Sequence, residues 1–160
     1  MDTTNAKIGS GWVWAFALAA AVLGVGSGYL TSGMDWKIGS AVYFGIFAIA
    51  GFASMYLTSA TTSTGVIAFL LAAIATAVFY YVLITYALDT VTGAVVDSGG
   101  GDAAARETAK DAGGTFAGMF GMIVAGINGV GTAVAGISGC VAGSKFKRDG
   151  GLSQLAASRS

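Results

Sequence analysis

Four long apolar runs, separated by polar stretches, divide the chain. They cover about residues 12–30, 38–57, 65–88 and 116–143, and none of them contains an Asp, Glu, Lys or Arg residue. A helix of about 20 apolar residues crosses the roughly 30 Å of hydrocarbon in a bilayer. Because backbone amides inside lipid must bond within their own segment, we expect each run to be helical. The sequence therefore predicts an all-α integral membrane protein with four transmembrane helices.

The first run has an alternative interpretation. Lys7 followed by the apolar stretch 12–23 also fits the basic and hydrophobic regions of a secretory signal. Trp12 and Trp14 stand at the start of the run, and aromatic residues of this kind are enriched at membrane interfaces. We therefore interpret the run as the first transmembrane helix.

The fourth run is unusual in its glycines. Its small residues recur every three or four positions, which places them on one face of a helix, and the other side carries bulky Met, Ile and Val side chains. This glycine face consists of Gly118, Gly121, Ala125, Gly129, Thr132, Gly136, Gly139 and Gly143. In lipid, a smooth face lets another helix backbone come close, and close packing drives helix association there. We predict a helix-packing interface, and the pattern leaves open whether it faces its own chain, another copy or lipid.

The polar connections differ in length and charge. The hydroxyl-rich turn 58–64 should cap both neighbouring helix ends. The longer acidic segment, residues 89–114, has five acidic residues but only Arg106 and Lys110 as basic ones. Within it, glycines bracket a predicted helix over 102–112, with Asp102 as N-cap and in an ion pair with Arg106. We expect an extramembrane loop here.

Four spans place both termini on the same side of the membrane. Basic residues of the N-terminus and of the short basic tail 145–160 outnumber those on the opposite side, so the positive-inside rule favours cytoplasmic termini. They are Lys7, Lys145, Lys147, Arg148 and Arg159 against Lys37, Arg106 and Lys110. The predicted organisation is a single domain over residues 1–160 in the cell membrane or a derived membrane.

The amino-acid composition argues against catalysis, cofactor binding and nucleic-acid binding. Hydrophobic residues make up 55% of the chain and charged residues 10%, compared with about 25% charged in soluble domains. There is no His and only one Cys, so the usual ligands of metals, haem and iron–sulfur clusters are missing, as is the usual catalytic base. Basic and acidic residues balance, which gives no sign of nucleic-acid binding. We therefore predict no cofactor and no enzymatic activity.

Few polar side chains lie at membrane depth. Asn128 is the most polar of them, and we favour an interhelical hydrogen bond over a pore-lining role. Thr132 and Ser138 should bond back to carbonyls of their own helix. Cys140 is expected to be a packing residue, with acylation as the alternative.

These features predict a structural or accessory subunit of a membrane assembly. Its partners would be the lipid bilayer and other membrane protein subunits or copies of itself, in a homo-oligomer, a multisubunit complex, or a virion or organelle membrane. The glycine face would make the contact, and the acidic segment would be a second docking surface. The alternative is a small pore- or channel-forming, holin-like protein in which the glycine face, Asn128, Thr132 and Ser138 line the wall.

Overall fold

The computed structural model describes residues 8–150, apart from the side chain of Tyr29. Within that range the chain forms four helices and no strand: α1 (Trp12–Leu30), α2 (Trp36–Leu57), α3 (Thr62–Ser98) and α4 (Ala103–Arg148). The all-α prediction is confirmed for these residues. Lys7, Arg159 and the part of the basic tail beyond Gly150 lie outside the described residues.

Three helices, α2, α3 and α4, are long and apolar enough to cross a membrane. They indicate a multi-pass membrane protein. Helix α1 has 19 residues, and its crossing of the membrane stays a prediction, as do the sides on which the termini lie.

The helices extend further than the apolar runs predicted. Helix α3 has 37 residues and α4 has 46, and only the four residues from Gly99 to Asp102 separate them. Within the segment 89–114, the helix predicted over 102–112 is present as the start of α4, whereas residues 89–98 and 113–114, predicted outside it, are helical as well. The location of this segment outside the membrane stays a prediction.

A close contact explains why α4 continues through Gly113 and Gly114. A β-carbon added to Gly113 would overlap the side chain of Thr92 on α3. Glycine at this position lets the two helices approach, and this packing outweighs the low helix propensity of glycine. At the start of α4 the predicted N-cap is confirmed, since the Asp102 carboxylate accepts a hydrogen bond of 2.8 Å from the Ala105 amide.

The chain divides into two compact units. Unit 1 consists, among the described residues, of 8–73 and 131–150, and unit 2 is Ile74–Val130. Unit 2 is the pair formed by the second part of α3 and the first part of α4. The prediction of a single domain stays a prediction.

The core of unit 1 is built from α1, α2, and the parts of α3 and α4 that belong to it. Helix α1 packs on α2, and a β-carbon on Gly24 would lie 2.6 Å from the Phe47 ring. The fully or nearly buried apolar side chains are Val13, Ala17, Ala20, Tyr43, Phe47, Met55, Ala68, Phe69, Ala73 and Cys140.

Hydroxyl groups cap both helices at the turn between α2 and α3. The Thr58 hydroxyl donates to the Ser54 carbonyl at 2.6 Å at the end of α2. The Thr61 hydroxyl accepts from the Thr64 amide at 3.3 Å in the first turn of α3. The capping prediction is confirmed. The Thr64 amide is one of the groups that a helix start leaves without a partner. The Ser54 carbonyl also accepts from the Thr58 amide at 3.2 Å, so the hydroxyl adds a second bond there.

Candidate functional site

In unit 1, α4 contacts α2 backbone to backbone. A β-carbon on Gly139 would overlap the Ala48 carbonyl oxygen and lie 3.0 Å from the Phe52 amide nitrogen. One turn later, a β-carbon on Gly143 would overlap the Phe52 carbonyl oxygen. Both positions therefore require glycine for the helices to stay this close.

The contact is reciprocal, because α2 contributes a glycine of its own. A β-carbon on Gly51 would overlap the Gly136 carbonyl oxygen and lie 3.1 Å from the Cys140 amide nitrogen. Small residues on both helices thus remove the side chains that would hold the backbones apart, as in other membrane helix pairs.

The same stretch of α4 also packs against α3 within unit 1. A β-carbon on Gly136 would lie 2.6 Å from Cδ1 of Phe69. On α3, a β-carbon on Gly65 would lie 2.5 Å from Sδ of Met55 and 3.1 Å from Sγ of Cys140. Cys140 is fully buried in this contact, which supports a packing role over acylation.

Thr132 joins α4 to α2 through side chains. Its hydroxyl donates a 3.1 Å hydrogen bond to the Tyr43 hydroxyl, and both residues are buried. The predicted bond from Thr132 to its own helix is wrong, because the Tyr43 hydroxyl lies within reach across the interface. Ser138 is exposed.

Asn128, in unit 2, does not make the predicted interhelical bond. Its amide donates to the Val124 carbonyl of its own helix at 3.0 Å. A carbonyl four residues back is within reach of any short polar side chain on a helix, so no partner helix is needed.

The remaining residues of the glycine face differ in their surroundings. In unit 2, a β-carbon on Gly121 would lie 2.7 Å from Oγ1 of Thr85 and 3.3 Å from Cδ2 of Tyr81. Ala125 is also buried, while Gly129 is half-buried.

The predicted list also missed residues next to the glycine face. Ala117 is fully buried, whereas Gly118 beside it is only half-buried and has no neighbouring atom within 4 Å of its β-carbon position. A β-carbon on Gly131 would lie 2.5 Å from the Phe44 ring. Ala117 lies four residues before Gly121 and Gly118 lies three before it. Both therefore fit a spacing of three or four, and the sequence pattern could not choose between them.

The acidic segment contains one ion pair, and it differs from the predicted one. Lys110 on α4 pairs with Asp97 on α3 at 2.8 Å, and no Asp102–Arg106 pair forms among the described residues. The Asp102 carboxylate instead caps α4. The hydrogen bond and positive charge of Lys110 lower the pKa of the exposed Asp97 carboxyl group.

One end of unit 1 brings together segments that are distant in sequence. The Lys147 ammonium group donates to the carbonyls of Thr58 and, at 3.4 Å, Met55 at the end of α2. The Ser59 amide donates to the Ile8 carbonyl at 3.0 Å. The sequence contained no signal for these contacts, which place Ile8, four residues before the start of α1, and the last turn of α4 beside the same turn.

The described residues offer no centre for metal chemistry. Among residues 8–150, no three Cys, Asp or Glu side chains come together so as to hold a metal ion. No family model, curated protein or solved structure matches the chain. Helix packing and the molecular surface are therefore the features that bear on its function.

Proposed function

We propose that this protein is a non-enzymatic structural subunit of a membrane assembly. The proposal rests on one observation about α4. Several of its small residues are buried and many of its bulky apolar residues are exposed, which is the reverse of a helix in a water-soluble protein. Gly136, Gly139 and Gly143 are buried, while seven Met, Ile and Val side chains of the same helix are 50–67% exposed. These are Met119, Met122, Ile123, Ile127, Val130, Val134 and Val141. In water this arrangement would forgo most of the hydrophobic stabilisation, whereas lipid tails or another membrane helix would cover the bulky side chains.

The two ends of α2 support a membrane crossing. Trp36 begins the helix and is 74% exposed, and Tyr56 lies 20 residues further on. At 1.5 Å per residue they are about 30 Å apart along the helix, close to the thickness of the hydrocarbon layer. Trp and Tyr are the residues enriched at the two membrane interfaces.

Contacts at the turn between α2 and α3 support termini on one side. Ile8 and Lys147 both bond to this turn, so the start of α1 and the end of α4 lie at the same end of unit 1. With α2 crossing the membrane, this arrangement favours four spans. The basic residues at this end favour the cytoplasmic side.

The packing of the glycine face refines the proposed role of α4. Gly136, Gly139 and Gly143 contact α2 or α3 of the same chain, so this part of the face builds the fold of one subunit. We propose that contacts with other subunits or copies use the exposed bulky side chains and the acidic segment.

The pore alternative has less support from the same contacts. Thr132 bonds to Tyr43, and Asn128 bonds to its own helix. A pore lined by the glycine face would require α4 to separate from α2 and lose the backbone contact at Gly139.

Membranes that contain the chain, and the protein purified from them in a mild detergent, provide the test. We expect the chain to stay with membranes during alkaline carbonate extraction. On sizing, after the mass of bound detergent is subtracted, we expect a protein mass above that of one 15.9 kDa chain, or elution together with other proteins. In liposomes the protein alone should give no ion flux. Release by carbonate would contradict membrane insertion, a lone monomer would contradict the assembly, and ion flux would favour the pore.

A further inference from the structure

The last turn of α4 carries three cations that differ in their surroundings. They are Lys145, Lys147 and Arg148. Lys147 is half-buried and donates to carbonyls at the end of α2. Lys145 and Arg148 are exposed, and within residues 8–150 neither belongs to an ion pair. The only acid in the same stretch, 145–149, is Asp149.

Spacing along the helix brings the two exposed cations together. Residues three apart lie on the same side of a helix, so Lys145 and Arg148 are neighbours. Lys147 points elsewhere because the end of α2 engages it. The helix continues to Arg148 and stops where Gly150 adopts a φ of 86°, a conformation that commonly ends a helix. The pair therefore projects from the very end of α4.

Aromatic side chains mark the same end of unit 1 as a membrane interface. The Phe146 ring packs against Tyr56 and Phe52, with centroids 5.6 and 5.7 Å apart. Trp12, at the start of α1, is 59% exposed, and the bond between Ser59 and Ile8 holds the residues before α1 at this end. Among these residues, Trp12 and Tyr56 are of the two types that are enriched at the level of lipid headgroups.

We propose that Lys145 and Arg148 form a binding site for the headgroups of anionic phospholipids. The inference rests on the proposed membrane insertion, which brings both cations to the depth of the phosphate groups. A guanidinium group bonds a phosphate with two parallel N–H donors, and an ammonium group adds a point charge. Zwitterionic lipids carry a choline cation beside the phosphate, so the pair selects lipids with a net negative charge.

The experiment uses the tryptophans at this end as reporters. A Trp36→Phe chain keeps only Trp12 and Trp14, and is reconstituted in phosphatidylcholine vesicles that contain brominated phosphatidylglycerol or brominated phosphatidylcholine. Quenching of tryptophan fluorescence by each brominated lipid gives their relative association with the protein. We expect association of phosphatidylglycerol to be about fivefold tighter for each cation, and to weaken as salt is added.

Substitutions then separate the site from general charge effects. Lys145→Gln with Arg148→Gln should bring the ratio of the two lipids close to one, while Lys145→Arg with Arg148→Lys should keep the preference. Arg106→Gln with Lys110→Gln, on the acidic segment, is the matched control and should leave the ratio unchanged. Circular dichroism checks that helix content is equal in all variants.

The possible results distinguish this site from the proposed function. An unchanged ratio in the Lys145→Gln, Arg148→Gln chain would overturn the lipid site, and so would a ratio of one in the starting chain. Carbonate release from vesicles of phosphatidylcholine alone would overturn membrane insertion itself. Retention in those vesicles without a lipid preference would overturn only the lipid site.

Discussion

At the scale of single residues, glycines of the same helix have opposite roles. Gly126 and Gly139 both lie inside α4, and each lowers the intrinsic stability of the helix by about 1 kcal/mol relative to alanine. Gly126 has open space at its β-carbon position, whereas the Ala48 carbonyl occupies that position at Gly139. Only at Gly139 does close helix packing therefore offset the lower intrinsic stability of the helix.

The first prediction compares alanine at these two positions. Gly139→Ala should lower the free energy of unfolding by about 1–3 kcal/mol, because the new methyl group forces α4 away from α2. Gly126→Ala should be neutral or stabilise by up to about 1 kcal/mol. Unfolding in mixed micelles with increasing SDS, followed by circular dichroism, measures both. Equal effects at the two positions would show that the backbones of α2 and α4 lie farther apart at Gly139 than in this structure.

At the scale of helices, the ends are stabilised by groups from other parts of the chain. Lys147 of α4 donates to the carbonyls of Thr58 and Met55, which lie at the end of α2. These carbonyls carry the partial negative charge of a helix C-terminus, so a cation there is favourable. The end of α2 and the end of α4 are thus stabilised together.

The second prediction follows from this bond. Lys147→Met should lower stability by about 1–2 kcal/mol and speed amide hydrogen exchange at the end of α2, because the carbonyls lose a charged donor. Lys147→Arg should retain much of the effect. Lys145→Met, at an exposed position two residues away, is the control. Exchange measured by mass spectrometry should change at 55–59 for Lys147→Met alone, and a similar change for Lys145→Met would contradict the capping role.

The third prediction concerns pH and the pair of Asp97 with Lys110. Because Lys110 lowers the Asp97 pKa below its ordinary value of 3.8, the ionised carboxylate stabilises the folded pair of helices in unit 2. This contribution is fully present above the ordinary pKa and is lost as the pH falls through the lowered one. NMR titration of the Asp97 carboxyl carbon measures the pKa directly.

Lys110→Met is the control for that titration. It should return the Asp97 pKa toward its ordinary value, while Lys37→Met, on α2, should leave it unchanged. An equal pKa in the Lys110→Met chain and the unchanged chain would mean that the ion pair does not persist in solution.

At the scale of the whole molecule, the two sides of α4 differ in their surroundings. Gly136 contacts Phe69 of α3 and Gly51 of α2 in the same chain. Val134, two residues earlier on α4, is exposed. The glycine side and the bulky side of α4 therefore serve folding and external contacts, respectively, in the proposed function.

The fourth prediction tests this division of roles. Gly136→Leu should disrupt the fold of the single chain, seen as loss of near-ultraviolet circular dichroism and earlier unfolding in SDS. Val134→Ala should keep the fold and change only the size of the species in mild detergent. Folded monomers from Gly136→Leu would instead place the glycine face between subunits.

Much of the architecture followed from local sequence patterns, but the helix ends did not. Apolar runs located all four helices within residues 8–150, because hydrophobic length is a property of consecutive residues. The glycines at 113 and 114 suggested a break in α4. Contact with Thr92 on α3 overrode this local preference.

By itself, the sequence determined the helical class, the apolar lengths of the helices, and the presence of one small-residue face on α4. Only the tertiary structure decided the partner of that face and the bonds of Thr132 and Lys147. Both of these bonds join residues 89 positions apart. A pattern along one helix records which side is smooth, but it holds no information about which distant backbone lies against that side.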